Sequence, residues 1–207
     1  MAIIAENKGG DYVLIPAGNH LARCYGMVQI GTVKEETGIY AGKESHKVRI
    51  SWETPHECHD FGKGLQPFSI HKEFTLSMFE KATLRKYLES WRGKPFTEEE
   101  AEKFDITKLL GKPCMLNIIH VKSKSSGRIY ADISSIATLP KVIECPEQVN
   151  ATVELSFDNW KQHVFEALPD FVKEKIKKSK EYAAITAPGH TETPQANGSD
   201  SDEDLPF

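Results

Sequence analysis

Apolar and polar residues alternate along 20–33. Ala22, Cys24, Val28 and Ile30 share one parity, and Arg23, Tyr25 and Gln29 share the other. Side chains of a strand point alternately to opposite faces, so this stretch predicts a long, half-buried strand with a polar and aromatic outer face. Gly26 and Gly31 within it suit a bulge or tight bend. The polar stretch 34–46 reads as a hairpin connection, 48–52 as a second strand, 56–67 as an irregular loop and 68–78 as a third strand. Leu84, Leu88 and Trp91 then recur at helical spacing over 79–91, and Gly93 ends that helix. Thr97 with Glu100 has the form of a capping box and opens a second short helix. An apolar strand over 114–121, a basic turn over 122–127 and a returning strand over 128–137 form a hairpin. Ser156 is placed to cap a helix carrying Phe157, Trp160, Val164 and Leu168. Pro169 breaks it, and a lysine-rich helix follows to about Tyr182.

Strands, then helices, then a closing hairpin, without βαβ alternation, predict a mainly β fold with helical additions. The expected form is an antiparallel barrel with inserted helices and C-terminal helices. The expected division is a loose arm over 1–10 and a barrel over 11–150 with its helical insertion around 79–105. A helical segment over 151–185 and an acidic tail over 186–207 follow, the tail having the composition of a disordered segment.

The net charge of −4 argues against a nucleic-acid partner until it is divided. Five of the 30 acids (Glu192, Asp200, Asp202, Glu203, Asp204) lie beyond 186, where there is no Lys or Arg. Residues 1–186 therefore carry 26 basic and 25 acidic residues. Any anionic ligand must be held by local clusters of basic residues. One cluster is plain: between 112 and 141 five basic residues face one acid, Asp132. The four cysteines form no CxxC pair, the N-terminus has no signal-peptide pattern, and no apolar run is long enough to span a bilayer. These features read as a reduced, cytoplasmic protein with no membrane association.

Binding a single strand requires cations that track phosphates and flat aromatics on which bases stack. The candidates on strands are Arg23 and Tyr25, Arg49 and Trp52, and Lys72, with Lys122, Lys124, Arg128 and Tyr130 around the last hairpin. Trp52 shares the parity of Val48 and Ile50 and is balanced between base stacking and the core. Phe74 reads as core. Trp91 also reads as core, although its helix ends in a cationic pair. The lysine run 173–180 reads as a solvated face that could instead dock the tail or extend a DNA track. His56, Glu57, Cys58 and His59 are metal-ligand residue types, but their spacing matches no common zinc frame, so no metal or other cofactor is expected. There is no phosphate loop, GxSxG, HExxH or dinucleotide fingerprint, and the chain reads as a binder rather than an enzyme.

The chain ends Asp200-Ser-Asp202-Glu203-Asp204-Leu205-Pro206-Phe207, which joins an acidic run to an aromatic side chain and a carboxylate. That is a compact epitope for a partner with an apolar pocket beside Arg or Lys. This tip resembles that of bacterial single-stranded DNA-binding proteins. Residues 11–140 resemble phage-encoded single-stranded DNA-binding proteins with an OB-fold, notably at 15–25 and 109–114. The bacterial proteins carry a longer linker before the tip, and here helices intervene. The resemblance implies an OB-like barrel that binds single-stranded DNA without sequence preference. It also implies recruitment of replication, recombination or repair proteins through the tip, in a bacterial host cytoplasm if phage-encoded. Self-association is left open. The competing expectation is a protein-interaction adaptor of a replication complex with little DNA affinity of its own.

Overall fold

The computed structural model describes residues 13–36, 41–62, 64–124 and 126–187. Six strands form one sheet: β1 (Gly18–Lys34), β2 (Glu44–Asp60), β3 (Leu65–Thr75), β4 (Pro113–Lys122), β5 (Ile129–Ala137) and β6 (Val153–Leu155). Their order is β3-β2-β1-β4-β5, all antiparallel, with the short β6 added parallel to β1. Between β3 and β4 lie α1 (Thr83–Arg92), α2 (Glu98–Glu102) and a 3-10 turn (Ile106–Leu109). The C-terminal helices are α3 (Gln162–Ala167), α4 (Asp170–Lys177) and α5 (Lys180–Ile185). The fold is thus a mainly antiparallel sheet with helices added. No backbone ladder joins β3 to β5, so the sheet is not closed. At that seam, Lys72 of β3 reaches across to Asp132 Oδ1 at 2.8 Å and the Ile133 carbonyl at 2.7 Å.

The alternation along β1 breaks where Tyr25 has no partner: Cys24 pairs with Trp52 and Gly26 with Ser51. One extra residue in a strand shifts every following side chain to the other face. Ala22, Cys24 and Met27 therefore enter the main core with Ile50, Trp52, Leu84, Leu88, Trp91, Leu116 and Ile133. Val28 and Ile30, of the same sequence parity as Cys24, enter a second core with Leu155, Phe165, Val172 and Ile176. Gly26 faces β6 closely: a Cβ there would lie 3.1 Å from Ser51 Cβ and 3.6 Å from Val153 Cβ. Trp160 stands at the centre of the second core's aromatics, with ring centroids 5.6 Å from Phe157, 5.0 Å from Phe165 and 5.7 Å from Tyr182.

Several expected elements differ in extent. α1 begins at Thr83, not 79, and the capping box at Thr97 forms as expected. No irregular loop occupies 56–67: β2 runs on to Asp60 past a bulge between Thr54 and Cys58, and β3 begins at Leu65. Ser156 does not open a helix. Its hydroxyl accepts from the Asn159 N–H in a turn, and α3 starts at Gln162. The lysine-rich helix is two helices, with Ser179 capping the second. Its lysines face carboxylates: Lys175 with Glu73, Lys178 with Glu36 and Lys180 with Glu44 tie the helices to the β1–β2–β3 surface. Lys173 and Lys177 pair with Asp170 and Glu174.

Residues 138–152 cross the outer face of β1 and β2 as an irregular strap, which is fastened by two buried or half-buried charges. Arg23 donates to the carbonyls of Gly111 (2.6 Å), Cys145 (2.9 Å) and Pro146 (2.9 Å). Glu53, fully buried, accepts from the N–H groups of Val149 (2.7 Å) and Asn150 (2.7 Å) and from Asn150 Nδ2 (2.6 Å). A glutamine in its place would turn an amide N–H₂ toward either the Val149 N–H or the two Asn150 donors. Glu53→Gln is expected to lower stability by about 2 kcal/mol, as for other lost hydrogen bonds to a buried charge. Urea denaturation at neutral pH checks this.

Candidate nucleic-acid interface

The tip of the β2–β3 hairpin is drawn tight by Asp60, whose Oδ1 accepts from the N–H groups of Gly62 (2.8 Å) and Gly64 (3.0 Å). Both glycines have positive φ, 87° and 85°, a region a side chain disfavours. This turn carries an aromatic cluster. Phe61 lies edge-on to His59 and Phe68 at 5.1 and 5.3 Å between centroids, and His59 stacks on Phe68 at 6.0 Å. Phe68 is buried, whereas Phe61 is 51% exposed. Phe68 anchors the group while Phe61 offers its ring to solvent.

The cluster forms one wall of a cleft of about 620 Å³, and Tyr130 of β5 belongs to the lining. Arg49, His71 and residues 13–15 complete it. Tyr130, 44% exposed, pairs with Val121 two residues from the turn of the β4–β5 hairpin. That turn is closed by Ser123 N–H to the Arg128 carbonyl at 2.8 Å and Gly127 N–H to the Ser123 carbonyl at 2.9 Å. It presents Lys122, Lys124 and Arg128 to solvent, and among the described residues no carboxylate pairs with any of them. Three exposed cations, with no carboxylate partner among the described residues, thus lie on the hairpin that contributes Tyr130 to the cleft.

The other expected contacts are placed differently. Arg49 lies in the cleft but is occupied: Nη1 is 3.4 Å from Glu73 Oε1, and the guanidinium lies 5.2 Å over the Phe171 ring of α4. Tyr25 is half-buried with its ring edge-on to His71 at 6.4 Å, and burial raises its pKa. Trp52 is 1% exposed and packs 6.0 Å from Trp91 in the main core, so no base can stack on it in the folded chain. Phe74 and Trp91 are buried too, as expected. Arg23 serves the strap, and Lys72 is engaged at the β3–β5 seam with Tyr87 beneath it, so neither is a free cation for phosphate. The tail residues Asp200, Asp202, Glu203, Asp204, Leu205, Pro206 and Phe207 lie outside the described residues.

His59 and Phe61 were missed as an aromatic pair because 56–67 read as an irregular loop, and Phe68, read as the start of the third strand, was not among the candidates. The signal was present: an Asp followed at two and four residues by Gly is a tight-turn pattern, and it places flanking aromatics on paired strands. The neighbouring metal-type residues diverge: Glu57 lies 3.4 Å from His20, Cys58 Sγ donates to the Pro55 carbonyl, and His59 belongs to the aromatic cluster. No group of three or more metal-ligating side chains occurs among the described residues. No protein-family model matches the chain, and no curated protein matches it.

His71 lies open to solvent on the cleft side, yet its pKa is lowered from 6.5 to about 4, first by the protein mass around the ring and then by the Arg49 charge. Its Nδ1 lies 2.8 Å from Ser51 Oγ. A histidine held neutral in the fold gives stability that is present above the unfolded pKa and lost as pH falls. Chain stability is expected to decline between about pH 6.5 and 4, and His71→Asn is expected to flatten that part of the profile. Urea midpoints across the window test it.

Proposed function

We propose that the chain binds single-stranded DNA in the cleft between the β2–β3 tip and the β4–β5 hairpin. The observation that carries this reading is that exposed Phe61 and Tyr130 line one cleft, and that the hairpin bearing Tyr130 also carries exposed Lys122, Lys124 and Arg128, with no carboxylate partner among the described residues. Bases stack on exposed aromatic faces, and lysine and arginine track the phosphates without reading sequence. His59 and Phe68 hold Phe61 in place, which limits the entropy lost on binding.

The sheet order supports an OB-like reading of the fold. An OB-fold is a partly open five-stranded barrel that binds oligonucleotides on the face of its second and third strands, with the loop between its fourth and fifth strands. Here the corresponding elements are the β2–β3 face, which lines the cleft, and the β4–β5 hairpin, whose β5 residues Tyr130 and Ala131 line it too. The seam held by Lys72 between β3 and β5 stands where the barrel would close. The acidic tip ending in Phe207 then serves as the recruiting element for replication, recombination or repair proteins, in keeping with its resemblance to bacterial single-stranded DNA-binding proteins.

The test is a fluorescence-anisotropy titration of labelled oligo-dT and a matched duplex over a range of salt. Phe61→Ala and Tyr130→Ala are each expected to weaken oligo-dT binding by about 1–3 kcal/mol. Replacing Lys122, Lys124 and Arg128 together by glutamine is expected to reduce the salt slope by about 2, given roughly 0.7 per phosphate contact on a single strand. Removing residues 200–207 is expected to leave or raise the affinity. Absence of low-salt binding by the unaltered chain would overturn the reading.

A further inference from the structure

We infer that a second cavity docks a short segment of another protein, one that presents an apolar side chain flanked by lysine or arginine. The cavity has a volume of about 570 Å³ and opens between the end of β3, the connection from α2 to the 3-10 turn, and β6. It shares no lining residue with the aromatic cleft, so it is a separate site and does not depend on the DNA reading.

Its floor is apolar and buried, made by Met27, Val48, Leu84 and Leu155. Met78, Phe104 and Ile106 form half-buried walls. A recess of this kind holds an apolar side chain of a ligand, and two methionines among its lining let it adapt to the shape of that side chain. The wall is fixed before anything binds. Thr97 and Glu100 cap α2 reciprocally, and Asp105 Oδ1 accepts from the Thr107 N–H at 2.9 Å to start the 3-10 turn. Little ordering entropy then opposes docking.

The rim sets the sign of the partner. Glu102, Asp105 and Glu154 stand there against one cation, Lys103. Among the described residues neither Glu102 nor Glu154 has a cationic partner. Charges around an apolar recess select and orient the ligand that enters it, and these select a basic flank. The chain's own C-terminal tip has an apolar anchor but the wrong sign, with Asp200, Asp202, Glu203 and Asp204 beside Leu205 and Phe207. The occupant is therefore a basic segment of a second protein, not this tail.

The experiment uses the full chain and a labelled peptide, acetyl-Lys-Arg-Leu-Phe-Lys-Lys-amide, with a second version carrying a benzophenone on the phenylalanine. Cross-links mapped by mass spectrometry are expected at 76–78 or 104–106. The double variant Glu102→Lys/Glu154→Lys is expected to weaken peptide binding at least tenfold while leaving oligo-dT binding and the thermal melt unchanged. Where the charge reversal lowers the melt, Glu102→Gln/Glu154→Gln takes its place, with a smaller loss expected. Cross-links confined to residues 200–207, equal binding of a glutamate-flanked peptide, or affinity unaltered in the variants would each overturn the proposal.

Discussion

β1 must bury side chains on both faces, and the unpaired Tyr25 is what allows it. Before that bulge the strand turns Ala22 and Cys24 into the main core, and after it Met27 does the same from the opposite sequence parity. The other face is thereby freed for Val28 and Ile30, which nucleate the second core beneath α3, α4 and α5. Gly26 completes the arrangement: a Cβ there would crowd Ser51 at 3.1 Å and would meet Val153 of β6 in ordinary contact at 3.6 Å. Without the bulge a single strand could not join the sheet to the C-terminal helices, because a slip of one residue exchanges buried and exposed faces along its length.

The placement of charge follows from the same division. The outer face of β1 and β2 ahead of the bulge is crossed by the strap 138–152. Arg23 and Glu53 fasten that strap through backbone carbonyls and N–H groups. Beyond the bulge the outer face is covered by helices whose lysines meet Glu73, Glu36 and Glu44. Such exposed pairs add little stability individually, but they occupy these cations. The β4–β5 turn lies outside both coverings, and its three cations remain unpaired among the described residues. A nearly neutral body can thus still present a localised positive rim.

Much of the fold was legible where local rules act alone. The apolar run that became β4, the returning strand β5, the periodicity of α1 and the capping box at Thr97 all depend on neighbours within a few residues. Misreadings occurred where tertiary structure decided. The period-two pattern of β1 suggested one buried face, and the bulge gave it two. β6 is three residues long, too short for a pattern, and is defined by its parallel pairing with Gly26–Val28 of β1. Arg23 and Lys72 are basic residues on strands like Lys122, and only the fold shows that carbonyls and Asp132 engage them. Trp52 was balanced between surface and core, and its place opposite Cys24 puts it inside. Tyr130 and the basic hairpin were legible in the sequence. Phe61 was hidden by the reading of its hairpin tip as a loop.

On the proposed reading, Phe61 and Tyr130 flank the path of a single strand. Ultraviolet cross-linking of the full chain to oligo-dT, followed by mass spectrometry of the adducts, tests it most directly. Adducts are expected on Phe61 and Tyr130, or on their immediate neighbours within 59–68 and 122–131, and should be lost in high salt. Adducts concentrated around 76–78 and 102–107, or on the helices over 162–185, would contradict it.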